Sequence, residues 1–227
     1  MSGVLEPARQ RAAFAAGRYV RVVNWHNTPA TDRSTLRAEL AWYAARFDPV
    51  LPEHLDRFVE TGDWGLERPG FVPCFYDAYR NHVTVAVPAL EELGLTGWFL
   101  PPTGALDVPH EQQRDYAAAH AIDLLPDEPD GPWLMTWDDL ARIAERHVVA
   151  AHTAHHTGAD EILTAEDVER EVHEPVRLIT ELTGTVPPAF AFLHGTVPVP
   201  GTVAGDAVLA SGVRYAVTNT AYVRIAD

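Results

Sequence analysis

Short apolar runs rich in β-branched and aromatic residues alternate along this chain with longer stretches of helical periodicity, and that alternation restricts the fold more than any other feature. Residues 20–25 (VRVVNW), 71–76 (FVPCFY), 96–100 (TGWFL), 148–151 (VVAA), 190–193 (FAFL) and 215–218 (YAVT) each read as a strand. All are too short for a helix and are flanked by Gly, Pro or polar residues. Residues 34–46, 83–93, 136–146 and 164–183 read as helices. Ser34, Thr136 and Thr164 are cap signals, and Asp139 and Asp167 follow the two threonines at the spacing of a capping box. Gly184 ends the last helix, and Pro175 predicts a kink within it. Strands alternating with helices imply parallel pairing through right-handed crossovers, hence a barrel or a doubly wound sheet. Periodicity alone does not choose between them.

The chemistry-bearing residues sit where strand runs end. His26 follows VVNW, Asp77 follows CFY, His152 follows VVAA and His194 follows FAFL. In parallel α/β folds the carboxyl ends of the strands form the ligand face, so these four residues are expected to converge there. The segment 152–156 (HTAHH) offers imidazoles at separations of three and four residues. Read as a loop entering a helix, it lets His152 and His156 point the same way, although His155 competes with His156 at the shorter spacing. A third ligand must come from a distant strand, and Asp77 is the natural candidate. Two histidines and a carboxylate leave coordination positions open, as a catalytic site requires. The set suits zinc, and also cobalt, nickel or iron(II).

Composition removes several partners. At 227 residues and 47% hydrophobic, one domain spanning 1–227 is expected. A formal net charge of −15 with no dense Lys/Arg run argues against nucleic acid and anionic membranes. Cys74 is the one cysteine, which excludes an intrachain disulfide and a cysteine-based zinc site. The first twenty residues carry scattered charge without a signal-peptide core, and no run approaches the ~18 apolar residues of a membrane span. The expectation is a cytoplasmic protein, which weighs against a wall polymer as substrate. Oligomeric state is not readable.

The stretch PGFVPCFYDAYRNHVTVAVPALEELGLTGWFL resembles the signature of the polysaccharide deacetylases, the NodB-homology group of carbohydrate esterase family four. In that family a strand ends in Phe-Asp-Asp-Gly-Tyr; here the match is Phe75-Tyr76-Asp77-Ala78-Tyr79. WLMTWDDLARIAERHVVAAHTAHHTG resembles the family's second block, with His152, Thr153 and His156 in register. PPAFAFLHGTV resembles its third block, ending in His194-Gly195, and RVVNWHNTP resembles the first strand, with Trp25-His26 where members often carry Tyr-His. The resemblance runs from about residue 18 to about residue 220 and implies a distorted (β/α) barrel of the NodB type. It also implies hydrolysis of an N-acetyl group by metal-activated water, the ion being held by Asp77, His152 and His156.

Three of the family's catalytic helpers are missing. Tyr76 stands at the general base, and a phenol with pKa ~10 is a poor base at neutral pH. Ala191 stands at the arginine that orients that base, and the late Leu-His motif that supplies the acid has no counterpart between Tyr215 and Asp227. His194 is then the first candidate for proton delivery. His26 is the reserve, expected farther from Asp77, and Tyr76 is expected to line the pocket. His54, His82, His110, His120, His147 and His173 are expected on the surface or on helices. The expected activity is metal-dependent hydrolysis of a small, sugar-like N-acyl compound. The alternatives are a metal enzyme of another reaction class, or a metal-binding protein without turnover.

Overall fold

The structure is a computed structural model that describes residues 7–125, 131–219 and 221–225. In chain order it contains α1 (Pro7–Ala15), β1 (Val20–Trp25), α2 (Arg33–Ala44), β2 (Asp48–Pro49), α3 (Pro52–Thr61), β3 (Gly70–Tyr76), α4 (Val87–Glu92), β4 (Trp98–Leu100) and α5 (Gln113–Ala119). There follow α6 (Trp137–Ala144), β5 (Val148–Val149), β6 (Ala151–His152), α7 (Ala165–Val168), α8 (Glu174–Thr183), β7 (Ala189–Ala191), α9 (Val203–Ala210), β8 (Tyr215–Thr218) and β9 (Ala221–Arg224). Every strand expected from the sequence is present. The short strands β2 and β9, and helices α1, α3, α5 and α9, are additions.

β1, β3, β4 and β5 pair in parallel, with β2 also on β3. β6, β7 and β8 continue in parallel, and β9 folds back antiparallel on β8. Only Ala150 separates β5 from β6, so one extended segment pairs with β4 through Val148 and Val149 and with β7 through Ala151 and His152. The strand series therefore runs through this segment and delivers His152 at its end.

β3 is buried along its whole length, as parallel strands covered on both faces must be. Phe71 and Phe75 pack with Tyr43, Phe47 and Leu90 under the helices, while Val72, Cys74 and Tyr76 pack with Trp98, Leu100 and Val217 on the inner face. Tyr43 stacks on Phe71 at 4.2 Å and 6°, a pairing worth about 0.5–1.5 kcal/mol beyond area burial. The Trp98 indole N–H, wholly buried, donates to the Val50 carbonyl at 2.9 Å.

The closed barrel implied by the resemblance is not formed: among the described residues no ladder joins β8 or β9 to β1. β9 turns back along β8 and takes the position a closing strand would need. The two ends of the series meet through side chains, Val20 and Val22 packing in one cluster with Tyr215, Val217 and Tyr222, and Asn24 Nδ2 donating to the Asn219 carbonyl at 2.6 Å. The architecture is a mixed α/β fold with an open, mainly parallel strand series. No helix among the described residues is long and apolar enough to cross a membrane.

Both expected capping boxes form, Thr136 with Asp139 and Thr164 with Asp167. The 164–183 helix is interrupted earlier than Pro175 itself. A π-type turn, Glu169–His173, links α7 to α8, whose second residue is that proline. A second π-type turn, His82–Ala86, precedes α4, with Pro88 in the same place. Proline lacks an N–H and its ring crowds the carbonyl four residues back, and a widened turn relieves both.

Candidate metal centre

Asp77 and Ala78 leave β3 in consecutive left-handed conformations, with φ of 71° and 59°. Two non-glycine residues in this region cost on the order of 1–2 kcal/mol each, so the turn needs outside support. The segment 133–135 supplies it: Met135 N–H donates to the Ala78 carbonyl at 2.8 Å and Arg80 N–H donates to the Trp133 carbonyl at 2.7 Å. The strained turn swings the Asp77 carboxylate onto the face where β6 ends.

His152 ends β6, and its Nδ1–H donates to Thr153 Oγ at 3.1 Å. That hydroxyl also accepts the Thr157 N–H and donates to the Thr157 carbonyl, closing the loop on itself. His156 is in the left-handed region too, with φ of 57°, and its Nδ1–H donates to the His120 carbonyl at 2.7 Å. With each Nδ1 engaged, both Nε2 lone pairs remain for a ligand, as in orienting contacts around metal-bound histidines. Ligand atoms of Asp77, His152 and His156 all lie within 4.8 Å of one another, and all three residues are buried. Asp77 Oδ1 is buried without a well-formed hydrogen bond and lies 3.2 Å from His156 Nε2. An orphaned carboxylate oxygen facing two free imidazole nitrogens fits a divalent cation in charge and donor type.

His155, left open as a rival ligand, is turned away. Its Nδ1–H and its backbone N–H both donate to the Glu171 carboxylate, each at 2.9 Å. Its ring also lies beside Gly104, where a Cβ would come within 2.9 Å of it.

Electrostatics follow from this packing. Burial, then the neighbouring His156, pushes His152 down to about 3, so it is neutral through the working range. Burial works to raise Asp77, but the facing His156, then His26 and His152, outweigh it and hold it below the usual carboxylate value. Burial works to lower His156, and Asp77 more than offsets it, so His156 is raised. The centre therefore has one position, between Asp77 and His156, where a proton and a cation compete.

All six residues singled out in the sequence line one cleft of about 900 Å³: His26, Tyr76, Asp77, His152, His156 and His194. His26, expected to be distant, places Nε2 3.8 Å from Asp77 Oδ2. It is held there by His82, whose Nε2–H donates to the His26 carbonyl at 2.5 Å. His194 sits in a left-handed turn on the cleft wall with an exposed side chain. Tyr76 stacks against His26 at 5.5 Å and meets His152 edge-on at 6.2 Å. Burial, then Cys74 and Asp77, drives its phenol well above the ordinary value, opposite to what a base needs. His82 is on a helical turn, as expected, but wholly buried; His147 is buried outside any helix, against the expectation, and Glu171 was not singled out at all.

No family model matches the chain, and neither does any curated protein. Solved structures do. A de-N-acetylase from Aggregatibacter actinomycetemcomitans superposes with a TM-score of 0.65 at 18% identity, over 87% of this chain and 86% of that one. IcaB from Ammonifex degensii gives 0.62 at 15% identity, over 87% and 82% of the two chains. The Streptococcus pyogenes deacetylase PplD, in complex with acetate, gives 0.61 at 11% identity, over 83% and 78%. The likeness covers most of each molecule while sequence identity is low, so what it establishes is the scaffold: the chain has the fold of these deacetylases.

Proposed function

We propose that the chain is a metal-dependent hydrolase of N-acyl bonds, acting on a small, sugar-like N-acetyl compound. The observation that carries the reading is the buried group of Asp77, His152 and His156, with ligand atoms within 4.8 Å and both Nδ1 atoms already committed to fixed acceptors. The fold neighbours support the reaction class, one being named a de-N-acetylase and another being a deacetylase holding acetate. A divalent ion held by these residues, zinc or a cobalt, nickel or iron(II) equivalent, supplies Lewis-acid polarisation of the acyl carbonyl and lowers the pKa of a water.

The chain's own residues do the rest. Asp77 stays ionised and His152 neutral, which keeps both as donors at neutral pH. Tyr76 forms a wall rather than a base. Hydrolysis breaks the C–N bond and must place a proton on the departing nitrogen. His26, at the cleft mouth with its side chain 56% exposed and beside Asp77, is the group for that proton, and it takes precedence over His194.

The test is to load the protein with zinc or cobalt and screen N-acyl amines for release of carboxylate and amine. Turnover should depend on the metal, and Asp77→Ala and His152→Ala should lose both ion and activity. Full metal occupancy in His152→Ala, or no release from any N-acyl amine by the loaded wild type, would overturn the reading.

A further inference from the structure

We propose that Glu171 is the positioning residue of the metal centre: a buried carboxylate on a different element that locks the loop presenting His156. The inference rests on the metal reading of Asp77, His152 and His156, and it goes beyond that reading by assigning a role to a residue outside the ligand set.

Glu171 lies in the π-type turn between α7 and α8, with a side chain only 2% exposed. A buried carboxylate is retained only when its oxygens are satisfied. Three donors satisfy it. Oε2 accepts the His155 backbone N–H, and Oε1 accepts both His155 Nδ1–H and Arg170 Nε–H, each at 2.9 Å. Burial works to raise its pKa, but the two His155 donors, then Arg170, bring it down to about 2, so the acceptor is charged at every working pH.

Two of those three donors belong to the residue immediately before His156. His156 adopts φ of 57°, an uncommon conformation for a residue with a side chain, though one that histidine takes more readily than most, and contacts from outside the loop favour it. Its ring is fixed on one side by the His120 carbonyl, and its own N–H reaches the Thr153 carbonyl at 3.3 Å, both contacts that tie it to neighbouring loops and not to a helix. Glu171 adds the anchor from a different element, holding the preceding peptide through the His155 N–H. It also turns the His155 ring out of competition for the ion, so one carboxylate selects which of two adjacent histidines faces Asp77. The π-type turn is what aims it: the residue sits four positions before Pro175, where the widened backbone brings a helix-borne carboxylate against the loop.

The experiment measures cobalt affinity by competition with a chromophoric chelator, alongside urea unfolding of each metal-free variant. Glu171→Gln removes the charge and turns one acceptor into a donor. It should weaken cobalt binding about 10–100-fold, the usual effect of removing an orienting partner. His155→Ala, which keeps the backbone contact, should weaken it less. Ile179→Ala, a cavity in the core of α8, serves as a control of reduced stability and should leave affinity unchanged. Binding by Glu171→Gln within about twofold of wild type would overturn the assignment, as would an equal loss in Ile179→Ala. Should Glu171→Gln fail to fold, Glu171→Asp withdraws the carboxylate by one methylene and must also weaken binding; an unchanged affinity there overturns the assignment equally. The outcomes separate from those of the proposed activity, because a wild type that binds cobalt yet releases no amine removes the function and leaves the role of Glu171 standing.

Discussion

At the scale of single residues, burial separates the roles of Tyr76 and His26. Tyr76 and His26 both stand near Asp77, yet one phenol is buried and pushed toward permanent protonation while one imidazole opens to solvent. A group that shuttles protons needs access to water, and only His26 has it. His26→Gln should therefore lower metal-dependent turnover by ~10²–10⁴-fold with the ion retained, the usual loss for a general acid or base. Tyr76→Phe, which keeps the ring that stacks on His26, should cost less than about tenfold. Steady-state kinetics with metal analysis on both variants checks the order. A collapse in Tyr76→Phe with His26→Gln near wild type would exchange the two assignments. His194→Gln is expected to fall between them, since its exposed ring lines the cleft without touching Asp77.

At the scale of elements, α6 connects the support of Asp77 to the strand that carries His152. Asp139 Oδ2 accepts from the Thr136 N–H and hydroxyl, and Asp139 Oδ1 pairs with Arg80 Nη1 at 2.5 Å, just past the strained turn. Thr136→Ala loses an ordinary cap and should destabilise by ~1 kcal/mol. Asp139→Ala also strips the partly exposed Arg80 guanidinium of its partner and should cost about 1.5–3 kcal/mol. Urea midpoints on the metal-free protein measure both, and equal losses would show that the Arg80 pair contributes nothing. The same elements show what could be read beforehand. β1 and β8 fall at the expected residues, and both capping boxes form, because short apolar runs bounded by turn residues and cap chemistry are local signals. β2 escaped because Asp48–Pro49 carries no apolar run, and β9 because the partly exposed Ala221–Arg224 forms no buried one. Barrel closure could not be read either, being a long-range property of which edges meet. Two polar residues did leave a signal. Glu171 lies in the apolar stripe of Val168, Val172, Val176 and Ile179, and His82 lies in that of Val85, Ala86, Ala89 and Leu90. A charged or titratable side chain at such a position must be paired inside the fold, and both are.

At the scale of the whole molecule, protons and metal should compete for stability with a defined sign. His152 is held near 3 and His82 near 4, mainly by burial, so below the ordinary histidine pKa of ~6.5 the unfolded chain binds protons that the folded chain refuses. These two groups make stability fall as pH drops from about 6.5 toward 4. His156 acts in the opposite sense. Its raised pKa means that the protonated imidazole beside Asp77 stabilises the metal-free fold fully below ~6.5, and this contribution is lost as pH rises through the raised value. A divalent ion needs the same nitrogen without its proton, so metal stabilisation should grow over the interval in which the His156–Asp77 pair gives way. At a free metal concentration a hundredfold above Kd the gain is about 2.7 kcal/mol, which for a chain of this size is roughly 5–10 °C in Tm. Paired melts with and without zinc should show that shift near pH ~8 and almost none near pH ~5, and His156→Ala should show none at either. A shift that is constant with pH, or larger in acid, would mean that the ion does not bind through His156.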